Sequence, residues 1–402
     1  MVLPFNAGSL RGIPWPSAPD RMNSRRIYYF DNNATTRVAP EVVVEMLPFL
    51  TEQWGNPSSS YGFGSRVAQE IERAREKVAA LINADPKEII FTSCGTESNN
   101  AAIQSALLTN PTKRHVITTA VEHSANIKFC DHLKRQGFKI TLMPVEPDGS
   151  IDIHLLEKTI RPETALVSIM YANNETGVLF PIEELAAICR SRGVLFHTDA
   201  VQTPGKVKLD VRELDVDFLS LSAHKLHAPK GIGLLFVKKR TKFAPYIIGG
   251  GQERGQRGGT ENVANIVAFG RAAELAVATL HDENTRVKAL RDKLENGLMK
   301  LVSRTARNGS KTHRLPNTSN LSFDRVEAGA ILKQFDHLGI CASSGSACTT
   351  GSISPSHVLT AMGLNAARAK GSIRFSLGIY NTEEEVEYLL KHVPLVIQHL
   401  RD

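Results

Sequence analysis

The chain has 402 residues, 42% of them hydrophobic and 22% charged, with a formal net charge of +7. This length permits two domains with sizeable cores, and no apolar run approaches the ~20 residues of a membrane-spanning helix. Lys and Arg are spread along the chain without aromatic interleaving, so the basic excess reads as generic and no direct nucleic-acid contact is expected. Five cysteines at scattered spacing fit neither a disulfide framework nor a zinc site, which suits a reducing compartment.

Residues 1–26 hold four prolines, four arginines (Arg11, Arg21, Arg25 and Arg26) and one acidic residue. They lack the continuous apolar stretch of a secretory signal, and the prolines would break an amphipathic transit helix. The segment is therefore expected to be a disordered extension. From Ile27 the pattern alternates: helical periodicity covers 67–84, a short strand 88–92 and a helix 97–108. Strand-like runs follow at 115–121, 139–145, 165–172, 194–198, 217–221 and 231–237, with helical stretches between several of them. This predicts an α/β fold with a mostly parallel sheet flanked by helices. Gly249 to Gly259 reads as a glycine-rich loop, and a helix-prone stretch over 263–302 leads toward a smaller α+β unit. The expected division is a large domain over 27–270, whose first residues pack with the small one, and a C-terminal domain over 271–402.

Candidate chemistry gathers at strand ends. Lys225 lies in Ser222-Ala223-His224-Lys225, directly after the run Val216 to Leu221, and Asp199 closes the run Val194 to Thr198. A lysine and an aspartate at the carboxyl ends of neighbouring strands converge on one crevice. Pyridoxal phosphate chemistry needs that pair: the lysine forms a Schiff base with the aldehyde, and the aspartate keeps the pyridine nitrogen protonated. Ser222 and His224 offer a hydroxyl and an imidazole to the phosphate. Gly95 and Thr96 stand between a strand and a helix, where backbone N–H groups face an anion; an ordinary helix cap has the same appearance. His123 follows a strand and is either a ring-stacking, proton-moving imidazole or a structural histidine. Asn174 and Gln202 are placed to meet the cofactor's phenolate oxygen, although an Asn-Asn-Glu turn explains Asn174 equally.

Together these segments resemble fold-type I pyridoxal phosphate enzymes of the class V aminotransferase group, and within it the cysteine desulfurases of the NifS/IscS type. The resemblance is carried by Tyr28 to Thr36, Gly55-Asn56-Pro57-Ser58-Ser59, His224 to Gly231, Gln252-Glu253-Arg254 and Gly259-Thr260-Glu261-Asn262, and it runs beyond Arg374. It implies Lys225 as the Schiff-base lysine, Asp199 as the pyridinium partner and His123 stacked on the ring. Asn174 and Gln202 would then contact the phenolate oxygen, and Gly95, Thr96, Ser222 and His224 the phosphate. It also implies a cytoplasmic homodimer in which Thr260 reaches the phosphate of the neighbouring subunit. Arg374, with Asn32, would hold the substrate; a guanidinium fork suits a carboxylate. One departure is Gly378-Ile379-Tyr380, where relatives often carry a second arginine.

A pyridoxal phosphate site does not by itself name a reaction; a thiol does. The run Cys341 to His357 is rich in Gly and Ser and poor in large apolar side chains, which predicts an exposed loop. A cysteine in so polar a run ionises more readily than a buried one, and the resemblance puts the persulfide-forming residue at Cys348. Cys341, Cys130 and Cys189 read as packed residues, and Cys94 receives no chemical role. No intrinsic metal is expected; Cys348 is the one candidate for transient contact with an iron–sulfur cluster. The implied reaction takes sulfur from L-cysteine, releases L-alanine and leaves a persulfide for an iron–sulfur scaffold or another acceptor. A selenocysteine lyase and a class V aminotransferase are the rival enzymes, and a non-catalytic scaffold, which would be colourless, is the rival of another class.

Overall fold

The computed structural model describes residues 26–344 and 355–402; Cys348 and residues 1–25 lie outside the described residues. Strands, numbered in chain order, are β1 (Tyr28–Tyr29), β2 (Ile89–Thr92), β3 (His115–Thr119), β4 (Lys139–Met143), β5 (Thr164–Ser168) and β6 (Leu195–Asp199). They continue with β7 (Phe218–Ser222), β8 (Gly233–Val237), β9 (Thr305–Arg307), β10 (Thr318–Phe323), β11 (Ile340–Cys341) and β12 (Ser372–Ser376).

The main sheet has seven strands in the order β2-β8-β7-β6-β5-β3-β4. β4, β3, β5, β6 and β7 are parallel, whereas β8 runs antiparallel to both β7 and β2. The sequence runs are continuously apolar rather than alternating because helices cover both faces, and every residue of β2, β3, β5, β7 and β8 is buried. One apolar cluster, including Val78, Phe91, Val167, Phe196 and Phe269, lies on one side of this sheet; a second, including Ile103, Val116, Leu166 and Phe218, lies on the other. Burying each such phenylalanine contributes about 1.5–3 kcal/mol relative to exposure. Strand order reverses between β3 and β5, so the crevice at the carboxyl edge opens beside the segments that follow them.

A three-stranded antiparallel sheet, β12-β10-β9, builds a separate core with Phe30, Leu294, Phe323, Phe335, Phe375 and Leu389. The chain's start belongs with it: β1 pairs in parallel with β11, and Phe30 exchanges backbone hydrogen bonds with Cys341 and Ser376. The stretch read as one long helix is helical from Val263 to Leu301, but a π-turn at Glu283–Val287 interrupts it. It is long and apolar enough to cross a membrane by length and composition, yet half of its most apolar window is buried. Its first half packs on helix Gly62–Leu81 so closely that a Cβ on Gly270 would stand 2.9 Å from Ala74 Cα.

Candidate active site

The carboxyl edge of the main sheet and the three-stranded sheet enclose a cavity of about 520 Å³. Asp199 ends β6 and Lys225 follows β7; the register sets Asp199 opposite Ser220, so the two functional groups share one rim. The Asp199 carboxylate is aimed by two donors, Asn99 Nδ2 at 2.6 Å and the Val201 backbone N–H at 3.0 Å. Lys225 Nζ donates to the backbone carbonyls of Asn33 at 2.5 Å and Ala34 at 2.7 Å. Burial, reinforced by the positive charges of Arg374 and Lys206, pushes its amine down to about 7. A lysine so placed exchanges its proton near neutrality, as a nucleophile or base must.

The turn after β2 starts helix Gly95–Thr109 without a side-chain cap, which leaves its first N–H groups directed at the cavity. Glycine is required there because a Cβ on Gly95 would stand 2.8 Å from Val201 Cγ2. Thr96, Ser222 and His224 line the same end. His224 is held by Thr35 Oγ1 at 3.1 Å, and burial, aided by Lys225 and Lys230, pushes its imidazole down to about 4. Glu97 anchors this end by accepting from Ser93 N at 2.8 Å and from Arg257 Nε at 3.0 Å, which ties the glycine-rich loop to the helix start.

His123 caps helix Ser124–Arg135, its Nδ1 accepting from Ala125 N at 3.2 Å. In the neutral ring Nε2 therefore carries the hydrogen. Burial holds this imidazole below its ordinary value. Asn174 and Gln202 also line the cavity; Gln202 Nε2 donates to Asn33 O at 3.0 Å. From the three-stranded sheet, Arg374 reaches in from β12 and donates to Asp31 Oδ1 at 2.6 Å and to Asn174 O at 2.9 Å. Its Nε is buried without a partner among the described residues. A guanidinium lining a cavity is suited to a carboxylate.

The structure thus brings together Lys225, Asp199, His123, Asn174, Gln202, Gly95, Thr96, Ser222, His224 and Arg374. It does not bring in Asn32 or Thr260. The Asn32 amide turns the other way, donating to Ser376 O at 2.9 Å and Asn381 Oδ1 at 3.3 Å, and the neighbouring Asn33 lines the cavity instead. Thr260 is exposed, away from this cavity.

Several contributors went unread in the sequence. Asn99 aims Asp199 from inside an ordinary polar helix turn. The Asn33 and Ala34 carbonyls are backbone groups, invisible in side-chain patterns. Glu122 is fully buried, accepts from Thr119, Asn126 and Met170 N, and is pushed up to about 7 by burial. His357 also lines the cavity, bonded through Nε2 to Glu122 O at 2.9 Å, and Ser356 beside it donates to the buried Glu175. Of the cysteines, burial pushes the Cys130 thiol up to about 12 and raises those of Cys189 and Cys341. Cys94 lines the cavity.

The family model described as Aminotransferase class-V matches residues 28–389. The cysteine desulfurase 2 of Trichormus variabilis is 53% identical over 93% of this chain and 94% of its own length. The cysteine desulfurase NifS of Azotobacter vinelandii is 49% identical over 93% of each chain. Among solved structures, a NifS-like protein superposes with a TM-score of 0.87 at 42% identity, covering 93% of this chain and all of its own. SspA in complex with cysteine does so with 0.78 at 35% identity, covering 88% of this chain and 99% of its own.

Proposed function

The chain belongs to the class-V aminotransferase family, within its group of pyridoxal-phosphate-dependent cysteine desulfurases, and from this we propose how its own residues take sulfur from L-cysteine. The observation that carries the reading is the rim shared by Lys225 and Asp199, with Arg374 facing them across the cavity. The donor set fits pyridoxal 5'-phosphate. An aimed carboxylate waits for a ring nitrogen, a lysine near neutrality for an aldehyde, and an uncapped helix start with Thr96, Ser222 and His224 for a phosphate. Bound there, the cofactor supplies an electron sink that makes the substrate's Cα proton acidic and its sulfur a leaving group.

Arg374 binds the substrate carboxylate through its guanidinium, whose terminal donors now rest on Asp31 and Asn174. Lys225 Nζ, uncharged above about pH 7, takes the Cα proton. Asp199, anionic and fixed by Asn99, holds the proton on the ring nitrogen. His123 presents Nε2–H as a proton donor to substrate or thiol. The thiolate of Cys348 attacks the substrate sulfur and forms an S–S bond as the Cβ–S bond breaks. The carbon fragment gains protons and leaves as L-alanine, and the persulfide passes to an iron–sulfur scaffold or other acceptor. The reading includes a cytoplasmic homodimer. Exposed Val44, Leu50, Trp54 and Ile248 supply apolar surface for a second copy, and exposed Thr260 is free to reach across.

The test is alanine release from L-cysteine by the cofactor-loaded protein, with Cys348→Ser beside it and a reductant present. Alanine and sulfide are expected in equal amounts, with the variant coloured but at least about 10²-fold slower. Alanine release that ignores Cys348 would favour the lyase or aminotransferase reading. Arg374→Lys is expected to raise the KM for L-cysteine about tenfold to hundredfold, with the visible spectrum unchanged. An ammonium keeps the charge but loses the fork. Steady-state kinetics over a range of L-cysteine concentrations checks this.

A further inference from the structure

Lys225 stands between two cavities. In front lies the large one; behind it lies a small one of about 20 Å³, lined by Lys206, Glu283, Thr36, His227 and Asn32. That volume holds one water molecule. Lys206 and Glu283 are buried, at 5% and 4% exposure, and neither touches substrate or cofactor in the chemistry above. Ionisable side chains are costly to bury, so two of them directly behind the cofactor lysine call for a reason.

A change of helical winding carries Glu283. Glu283 opens the π-turn that interrupts the long helix, and π-turns concentrate at functional sites. Asn284, next in the turn, donates to Lys206 O at 3.0 Å, and Arg286 donates to Ile379 O and Asn381 O, each at 2.7 Å. Glu283 Oε2 is buried without a hydrogen-bond partner among the described residues.

We propose that Lys206 and Glu283 are positioning residues for Lys225, two buried ionisable side chains acting on its amine across the small cavity that all three line. The inference rests on Lys225 being the cofactor lysine. Burial lowers Lys206 and pushes Glu283 up to about 7, and each opposes the shift in the other, as expected for partners. Lys225 also faces Arg374 and Asp31 on one side, and Asp199, His123 and His224 along the front wall. Lys206 acts from behind, disfavouring a second positive charge.

Two variants test this. Lys206→Met removes the cation. Lys206→Met with Glu283→Gln removes both charges and strands neither in the interior. In cofactor-loaded protein the visible absorbance reports protonation of the Lys225 nitrogen. Its pH midpoint is expected to rise by about one unit in both variants. Trace labelling of Lys225 with an amine-reactive reagent in cofactor-free protein should show the same upward shift without turnover. Midpoints and labelling profiles that match the wild type in both folded variants would overturn the inference. Neither readout uses alanine release, so a failed desulfurase assay and a failed positioning role give different results.

Discussion

Replacing Lys225 with alanine is expected to leave a folded protein that lacks the lysine–aldimine absorbance and whose alanine release is at least about 10³-fold lower. The amine has two duties, joining the cofactor and moving the Cα proton, and no neighbour can take over both. His123 has its Nδ1 lone pair committed to the Ala125 N–H, and His224 is held by Thr35. The variant should fold because the amine's partners are the carbonyls of Asn33 and Ala34, beside a cavity that admits water to replace it. The wild-type pH profile follows from the same group. Its free amine is brought from the ordinary lysine range down to about 7, so in cofactor-free protein its labelling by an amine-reactive reagent should rise as pH climbs to about 7 and then level off. A profile still climbing toward pH 10 would mean that the lysine is not depressed. Absorbance spectra and alanine assays check the first statement, and amine labelling across pH checks the second.

Asp199→Asn is expected to cost about 10³-fold in kcat while the protein still binds pyridoxal phosphate. The amide keeps the shape of the carboxylate but carries no charge to hold a proton on the ring nitrogen. It also disturbs a tuned arrangement. Asn99 Nδ2 and the Val201 N–H both donate to the carboxylate, whereas an asparagine offers one oxygen and turns an N–H₂ toward one of those donors. Rates measured at saturating cofactor and L-cysteine separate this loss from weakened binding. A fall of less than tenfold would sink the assigned role.

How far the sequence was legible depended on what kind of atom does the work. Asp199 and Lys225 could be read because apolar strands end on them, and parallel strands direct their carboxyl ends to one crevice. Arg374 sits mid-strand in β12 among Ile373 and Phe375, and only the family resemblance singled it out. Asn99 and Glu175 carry no local signature, since their roles depend on partners far along the chain. The reversed direction of β8 was equally hidden: an apolar run buried on both faces reads the same in either sense. The π-turn at Glu283 had no signal either, because the periodicity around it remains helical.

The β1–β11 pairing has a consequence for how the protein is made. Tyr28 and Tyr29 lie beside Ile340 and Cys341, and Asp31 bridges to Ser376. The carbonyls that hold Lys225 come from this same segment, at Asn33 and Ala34. During synthesis Tyr28 to Ala34 must therefore wait, unpaired with these partners, until nearly the whole chain has left the ribosome. The main sheet can assemble earlier from neighbouring strands, but its lysine is seated only when the two distant ends of the polypeptide meet. Cofactor loading should accordingly be a late, post-release event in the life of each chain.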